Sequence, residues 1–515
     1  MTAAAQCVPK LFFLAFAGIC LLLWLLFRSA GNPRKRYRRA FGLAALFGAV
    51  YAAGTYHWLW YLLRADWLSM DGAARVLVLL GASAVLSIQS ALLSGLWALV
   101  VTRAQVRLPG HLRWVLVPVT AGLCWMVLEF LQSVTFRGFP VFGLPWVRLA
   151  SAFTPVPALL QQTALWGSLG AGGFLVFCAG LLAKGLCAGI SASRRTAALG
   201  LCGLLLFADI GVGTLRLHLP GAPGIPLSVS VVQGNLDAVD KWSAEGAALA
   251  WERYSSLSRD AELSDLIVWT ESAVPVTLER APELDAELRQ LAFDCDSTIL
   301  AGLFHRTDGK VYNSVYAYDG DGSRTEEPYS KRYPVPFGEY LPFPDTLGKL
   351  MPSLSALNIM RDPIAAGEST EPLASFAGKT GVLVCFDCAY PDAARKETAA
   401  GAEYLCILSN SAWFFDSAAC TQARAAAVLR ALENGRDTVL SSSTGISAVI
   451  DEKGSVLCES EPLETGVLHS ILTRRTGRTP CSYVPEWALA AGAFVLLAGI
   501  FCANGQNHRK NKKKL

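Results

Sequence analysis

The pattern of apolar and polar positions changes its period partway along the chain. Unbroken apolar runs fill the first part, at residues 11–27, 40–63, 74–101, 114–131, 164–183 and 196–217, and another lies near the end at 487–502. Roughly 17–25 apolar residues in a helix cross a bilayer. The runs therefore predict about six N-terminal spans and one C-terminal span, with residues 155–160 as a possible extension of the fifth. The first run has the size of a secretion signal, but no basic start or small-residue cleavage site marks it.

From about residue 220 to 480 the pattern is that of an α/β domain. Short β-branched runs alternate with charged stretches rich in Ala and Leu. Strands are expected at 227–233, 266–270, 297–303, 314–318, 382–386, 404–409 and 439–443, then a hairpin at 447–456 turning at 452–454. Helices are expected at 244–259, 282–295, 393–399 and 420–434. The predicted organisation is a transmembrane helical bundle over 1–219, a polar α/β domain over 220–480, and a C-terminal span with a basic tail over 481–515. No internal repeat is evident.

Composition agrees with a membrane protein. Of 515 residues, 53% are hydrophobic and 17% charged, and the mean hydropathy is +0.37. Soluble chains carry about 25% charge. A wholly soluble protein, a disordered one and a nucleic-acid binder built on a basic face are excluded. The net charge of +4 names no partner, but the placement of the basic residues is informative. Arg28, Arg34, Lys35, Arg36, Arg38 and Arg39 follow the first run; Arg103, Arg107 and Arg113 follow the third; Lys184, Arg194 and Arg195 follow the fifth; HRKNKKKL ends the chain. All four clusters fall on one side if the spans alternate. The positive-inside rule makes that side cytoplasmic and puts the polar domain outside. Glu129, near the end of the fourth run, is expected either to pair with a neighbour at the interface or to shape a lipid-facing cavity. The FRGFPVFGLPW stretch after it is expected to be a non-helical interfacial loop. The 14 cysteines show neither zinc spacing nor a disulfide framework, and no nucleotide-binding or metal-binding motif is present, so no cofactor and no metal are expected.

Three expected strands end in residues that carry chemistry. LIVWTESAVP delivers Glu271, YSKRYPVPFGEYLP delivers Lys331 ahead of Glu339, and GVLVCFDCAYPD delivers Cys385. A carboxylate, an ammonium and a thiol are the parts of an activated-thiol catalyst, because the reacting form is the thiolate. Lysine also stabilises an oxyanion. Taken singly, each has an ordinary alternative: a cap or ion pair for Glu271, a solvated lysine, a packed cysteine.

Together, WTESAVP, KRYPVPFGEYLPF, GVLVCFD, LSNSAWFFDS and RALENGR, in this order, resemble the carbon–nitrogen hydrolase (nitrilase) superfamily over residues 227–468. With spans on both sides, and with FGEYLPF and VVQGN…KW in combination, the chain is similar to its membrane branch, the apolipoprotein N-acyltransferases. The resemblance implies an αββα sandwich for the polar domain. It implies Glu271 as general base, Cys385 as nucleophile carrying the acyl group as a thioester, Lys331 at the oxyanion, and Glu339 orienting Lys331 or the base. Trp242 matches an aromatic near the substrate entrance. Asp387 and Phe386 stand where the family often has Glu and Tyr.

The activity implied is transfer of a fatty acyl chain from a phospholipid to the N-terminal amine of the diacylglyceryl-cysteine of lipoproteins, by a ping-pong route. The implied setting is the bacterial inner membrane, multi-pass, with the catalytic domain facing the periplasm and the protein a monomer. Both substrates are anchored at about 0.8 kcal/mol per buried methylene, so the domain must sit on the membrane. Residues 341–360 are expected to form a lid that excludes water, or else a core helix with its loop. In SAWFFDS, Trp413 or Phe414 is expected to meet the acyl chain, with plain packing as the alternative. Three rivals remain: a redox protein using Cys385 and Cys388, a membrane-tethered amidase using the same three residues, and a non-catalytic scaffold.

Overall fold

The structure is a computed structural model and describes residues 1–28, 32–64, 72–136, 138–236, 240–261, 264–344 and 362–512. The N-terminal part holds helices α1 (Thr2–Cys7), α2 (Phe13–Phe27), α3 (Pro33–Thr55), α4 (Gly72–Arg107), α5 (Arg113–Gln132), α6 (Thr163–Gly185) and α7 (Ala192–His218). Among the described residues, α4, α5, α6, α7 and the C-terminal helix are long and apolar enough to cross a membrane, while α2 is apolar but shorter. The chain is a multi-pass membrane protein.

Three local details differ from the sequence expectation. The helix at the expected second span starts earlier, because Pro33 occupies the first helical turn and the Asn32 side chain accepts from Arg34 N at 3.1 Å. Such a cap followed by proline initiates a helix, so part of the first basic cluster is helical. That helix stops at Thr55, and His57–Arg64 form a separate 3-10 segment. FRGFPVFGLPW is non-helical as expected, with β1 (Thr135–Phe136) and β2 (Phe139–Pro140) paired antiparallel at its start. Residues 157–160 form their own 3-10 turn and do not extend α6.

The polar domain contains two six-stranded sheets. The first uses β3 (Ile225–Gln233), β4 (Leu266–Val268), β5 (Thr298–Thr307), β6 (Lys310–Tyr318) and β7 (Tyr329–Ser330). The second uses β8 (Leu373–Ser375), β9 (Gly378–Val384), β10 (Tyr404–Ser409), β11 (Thr438–Ser442), β12 (Ala448–Ile450) and β13 (Val456–Glu459). A last strand, β14 (Gly466–Arg474), returns to pair antiparallel with β3 at the edge of the first sheet.

Alternation along the strands builds the layers. Val229, Val231, Val268 and Val315 face Val382, Val384, Cys406 and Val439 between the sheets. The opposite face of the first sheet, with Ile267, Trp269 and Ile299, is covered by helices α8 (Ala244–Arg259) and α9 (Pro282–Cys295). The opposite face of the second sheet, with Leu383, Leu405 and Ile407, is covered by α10 (Pro391–Ala399) and α11 (Ala418–Asn434). The result is the expected αββα sandwich. That second helical layer shares one continuous apolar cluster with Val117, Leu175 and Val176 of the bundle, so the sandwich stands on the bundle through α11.

The junction is also polar. Gln422 of α11 accepts from Trp58 Nε1 at 2.9 Å and Trp146 Nε1 at 3.1 Å, and donates to the Thr55 carbonyl at 3.0 Å. Glu433 accepts from Ser168 N at 2.8 Å, just past Gly167, where α6 is kinked with φ +70°. Glu129 is buried in α5 and accepts from Leu149 N at 2.7 Å, so it caps a neighbouring turn. After a short helix α12 (Pro480–Tyr483), α13 (Glu486–Lys512) leaves the domain as the last helix, and its Glu486 pairs with Arg148 at 2.5 Å.

Candidate active site

Glu271, Lys331 and Cys385 come to the same end of the two facing sheets. Glu271 lies in the turn after β4. That turn rests on β5, with Trp269 N donating to Leu300 O at 2.9 Å and Ala273 N to Gly302 O at 2.9 Å. A Cβ at Gly302 would run into the Thr270 carbonyl, so the close approach needs glycine.

Lys331 directly follows β7. Its backbone N donates to Asn313 O at 2.8 Å and its carbonyl accepts from Gly367 N at 2.8 Å. The ammonium is 1% exposed and lies 3.0 Å from Glu271 Oε1 and 2.9 Å from Glu339 Oε2. Asn313 Nδ2 donates to the same two carboxylates, at 2.7 Å to Glu271 and 3.0 Å to Glu339. Glu271 Oε2 accepts from Asn410 N at 2.8 Å, and Glu339 Oε2 from Val335 N at 2.6 Å. Each carboxylate is thus fixed at both oxygens.

Cys385 directly follows β9 at φ +48°, a left-handed backbone unusual for a residue other than glycine. The conformation turns the half-buried thiol out of the sheet, where Ser409 Oγ donates to Sγ at 3.6 Å. Burial pushes the thiol pKa well up; the Glu271 charge adds to this and the Lys331 charge opposes it. The resting group is therefore a thiol, and the thiolate forms only as a base takes the proton. Burial opposes the Lys331 ammonium, but the carboxylates of Glu271 and Glu339 outweigh it and hold the amine protonated, well above its ordinary range. The site combines a fixed carboxylate, a protonated amine and a thiol, a set of groups that can carry out covalent acyl transfer.

Asp387 is fully buried behind the thiol. One methylene shorter than Glu, it still accepts from Val384 N at 3.0 Å, Tyr333 N at 2.8 Å and Tyr329 Oη at 2.9 Å. Burial raises its pKa, against Lys331 and these donors. The Phe386 ring is buried, stacked on Trp146 with centroids 6.0 Å apart and edge-on to Tyr390 at 5.5 Å. Phe414 packs edge-on against Trp58 at 4.6 Å. Trp413 is half-buried in the same turn. Trp242 is half-buried against Phe304, 5.8 Å between ring centroids. Of the expected lid, residues 345–360 lie outside the described residues.

Asn313, Asn410, Ser409 and Tyr329 were not legible as site residues. Asn313 had one signal: an asparagine in the middle of a β-branched and aromatic strand, where that residue is depleted. The thiol pair Cys385 and Cys388 does not open an α-helix in the manner of a redox motif; both are free, and Cys385 begins a 3-10 turn, Cys385–Ala389, that also holds Cys388.

Comparison with known proteins matches two family models to separate parts of the chain. A family model described as Carbon-nitrogen hydrolase matches residues 228–478. One described as Apolipoprotein N-acyltransferase N-terminal domain matches residues 1–181. Three curated proteins, each named apolipoprotein N-acyltransferase, are similar over most of their length. That of Geobacter metallireducens is 29% identical, covering 96% of this chain and 93% of its own. That of Gloeobacter violaceus is 33% identical, covering 81% and 76%. That of Allorhizobium ampelinum is 30% identical, covering 95% and 92%.

Proposed function

This chain belongs to the apolipoprotein N-acyltransferase family, and we propose that it transfers a fatty acyl chain from a phospholipid to the N-terminal amine of diacylated lipoproteins through a thioester on Cys385. The observation that carries the reading is the Lys331 ammonium held between Glu271 and Glu339, with its charge acting on the Cys385 thiol. In the first half-reaction Glu271 takes the thiol proton and sulfur attacks the ester carbonyl. Lys331 offsets the oxyanion. Collapse breaks the ester C–O bond, and the proton on Glu271 goes to the departing alcohol of the lyso-phospholipid. In the second half, the lipoprotein amine loses a proton to Glu271 and attacks the thioester. The C–S bond breaks, an amide forms, and the proton returns to sulfur. Trp242, Phe386, Trp413 and Phe414 serve as apolar walls for the lipid chains.

The same reading assigns residues 220–480 to the catalytic domain, 1–219 to the bundle and 481–515 to the last span and tail. The basic ends of the bundle meet at the start of α7, whose other end leads into the sandwich: Arg194 donates to Gly110 O at 3.4 Å and Trp24 Nε1 to Leu186 O at 3.4 Å. By the positive-inside rule that end is cytoplasmic. The sandwich then faces the periplasm from the inner membrane, as a monomer.

The test is mass spectrometry of purified protein given phospholipid in detergent. A fatty acyl adduct on the peptide holding Cys385, discharged by a diacylated lipopeptide, is expected. An unmodified Cys385 peptide under turnover, or ammonia release from small amides in its place, overturns the reading.

A further inference from the structure

A second lysine lies under the Glu271 turn. Lys241, in a 3-10 turn at Asp240–Trp242, is 3% exposed. Its ammonium donates to Ser272 O and to Ser272 Oγ, both at 3.1 Å. Ser272 is the residue after Glu271 and has φ +44°, a backbone that a serine holds only when its surroundings fix it. From the other side, Gly302 lets the turn lie against β5. The turn is thus closed between a glycine and an ammonium. The same lysine lies 5.6 Å from the Trp242 ring centroid, so the aromatic wall and the turn share one support. Burial lowers the Lys241 pKa to about 8, and the Glu271 charge opposes that fall. The Glu271 charge thus reaches the Lys241 ammonium across the turn.

We propose that Lys241 is a positioning residue: by donating to both oxygens of Ser272 it holds the strained turn that aims the Glu271 carboxylate at the thiol and adds a positive charge beside it. This rests on the reading of Glu271 as the base. Lys331 fixes the carboxylate end of Glu271; Lys241 fixes its backbone end. Neither fixes the other, so loss of Lys241 leaves the Lys331 pairing formed but the base misaimed.

The test is the pre-steady-state rate of acyl-adduct formation on Cys385 with phospholipid, in full-length protein, for Lys241→Met, Lys241→Arg and Glu271→Gln. Lys241→Met is expected to slow acylation ten- to hundredfold with the donor KM changed less than threefold, and Lys241→Arg to recover at least a third of the lost rate constant on a logarithmic scale. A wild-type rate in Lys241→Met overturns the proposal, as does a loss confined to KM. Glu271→Gln separates the two ideas: acylation at the wild-type rate there would remove the base itself, whatever Lys241 does. Should Lys241→Met fail to fold by thermal melting, Ser272→Ala is read in its place. A three- to tenfold slowing supports the proposal and an unchanged rate overturns it.

Discussion

Asp387 Oδ2 accepts the Tyr329 hydroxyl at 2.9 Å, so the residue two beyond the thiol is bonded to the residue two before the ammonium. The same carboxylate accepts from Tyr333 N at 2.8 Å. Lys331 and Cys385 come from different sheets, and this one buried side chain fastens their two turns together.

Asp387→Asn keeps the shape and replaces one acceptor oxygen by a donor facing backbone N–H groups. One buried donor left unmade costs about 1–3 kcal/mol. A lower melting temperature and slower acyl-adduct formation are expected together. Thermal unfolding and adduct mass spectrometry on one preparation check both, and an unchanged pair of values would remove the fastening role.

Cys388 is the control for the thiol. It is buried, and its carbonyl accepts from Arg430 Nη1 at 2.7 Å, a bond that any side chain permits. Cys388→Ala should acylate within about threefold of wild type and cost on the order of 1 kcal/mol in stability. Cys385→Ala should lose the adduct and at least about a thousandfold in turnover. Equal losses in the two variants would restore the redox reading.

Lys331→Met leaves Glu271 and Glu339 buried without their cation. Removing one partner of a buried ion pair costs about 3–5 kcal/mol. The variant should melt well below wild type and form the acyl adduct more slowly. Melting temperatures and adduct mass spectrometry of wild type and variant check both. A variant as stable as wild type contradicts the pairing.

The legible part of the site consists of residues that end apolar strands. Glu271 and Cys385 stand at the ends of runs whose period predicts strands and Lys331 opens a proline-rich loop; each singly has an ordinary alternative, and the motifs around them, taken in order, made the three legible. Asn410 follows a strand as any turn residue does, and it acts through its backbone N–H, which the sequence does not mark. The strand β14 escaped because GVLHSILTR sits at a sheet edge, where Ser470 and Thr473 are tolerated; its pairing with β3, far away in sequence, makes it a strand. The start of α3 was legible in principle. Asn32 and Pro33 form a start signal, but the basic run after them reads as a loop until the helix is seen. Gln422 carries no local signal at all, since its partners Trp58, Trp146 and Thr55 lie in separate segments of the bundle.

Gln422→Met tests that junction. It removes the acceptor of two tryptophan N–H groups and the donor to Thr55, at conserved volume. About 2–4 kcal/mol of stability should go, from buried donors left unmade. Trp146 stacks on Phe386, the neighbour of the thiol, so acylation should also slow where the fold persists. Melting in detergent and adduct formation measured well below the melting temperature separate the two effects. A variant as stable as wild type would mean that the shared apolar cluster alone seats the sandwich on the bundle.

Glu397 supplies the pH dependence. It is fully buried in α10, and burial pushes its pKa from 4.5 to about 8, against the nearby Arg332 charge. The folded protein then binds this proton more tightly than the unfolded chain. Stability from this group is fully present below pH 4.5 and is lost as pH rises through about 8, with a slope of about 1.4 kcal/mol per pH unit at most. Glu397→Gln cannot ionise and should lack that loss. Melting curves of wild type and Glu397→Gln at pH 6 and pH 8.5 measure it. The variant's advantage should be larger at pH 8.5, and an advantage that is equal or reversed would mean that Glu397 is already ionised in the fold at neutral pH and is stabilised there by Arg332.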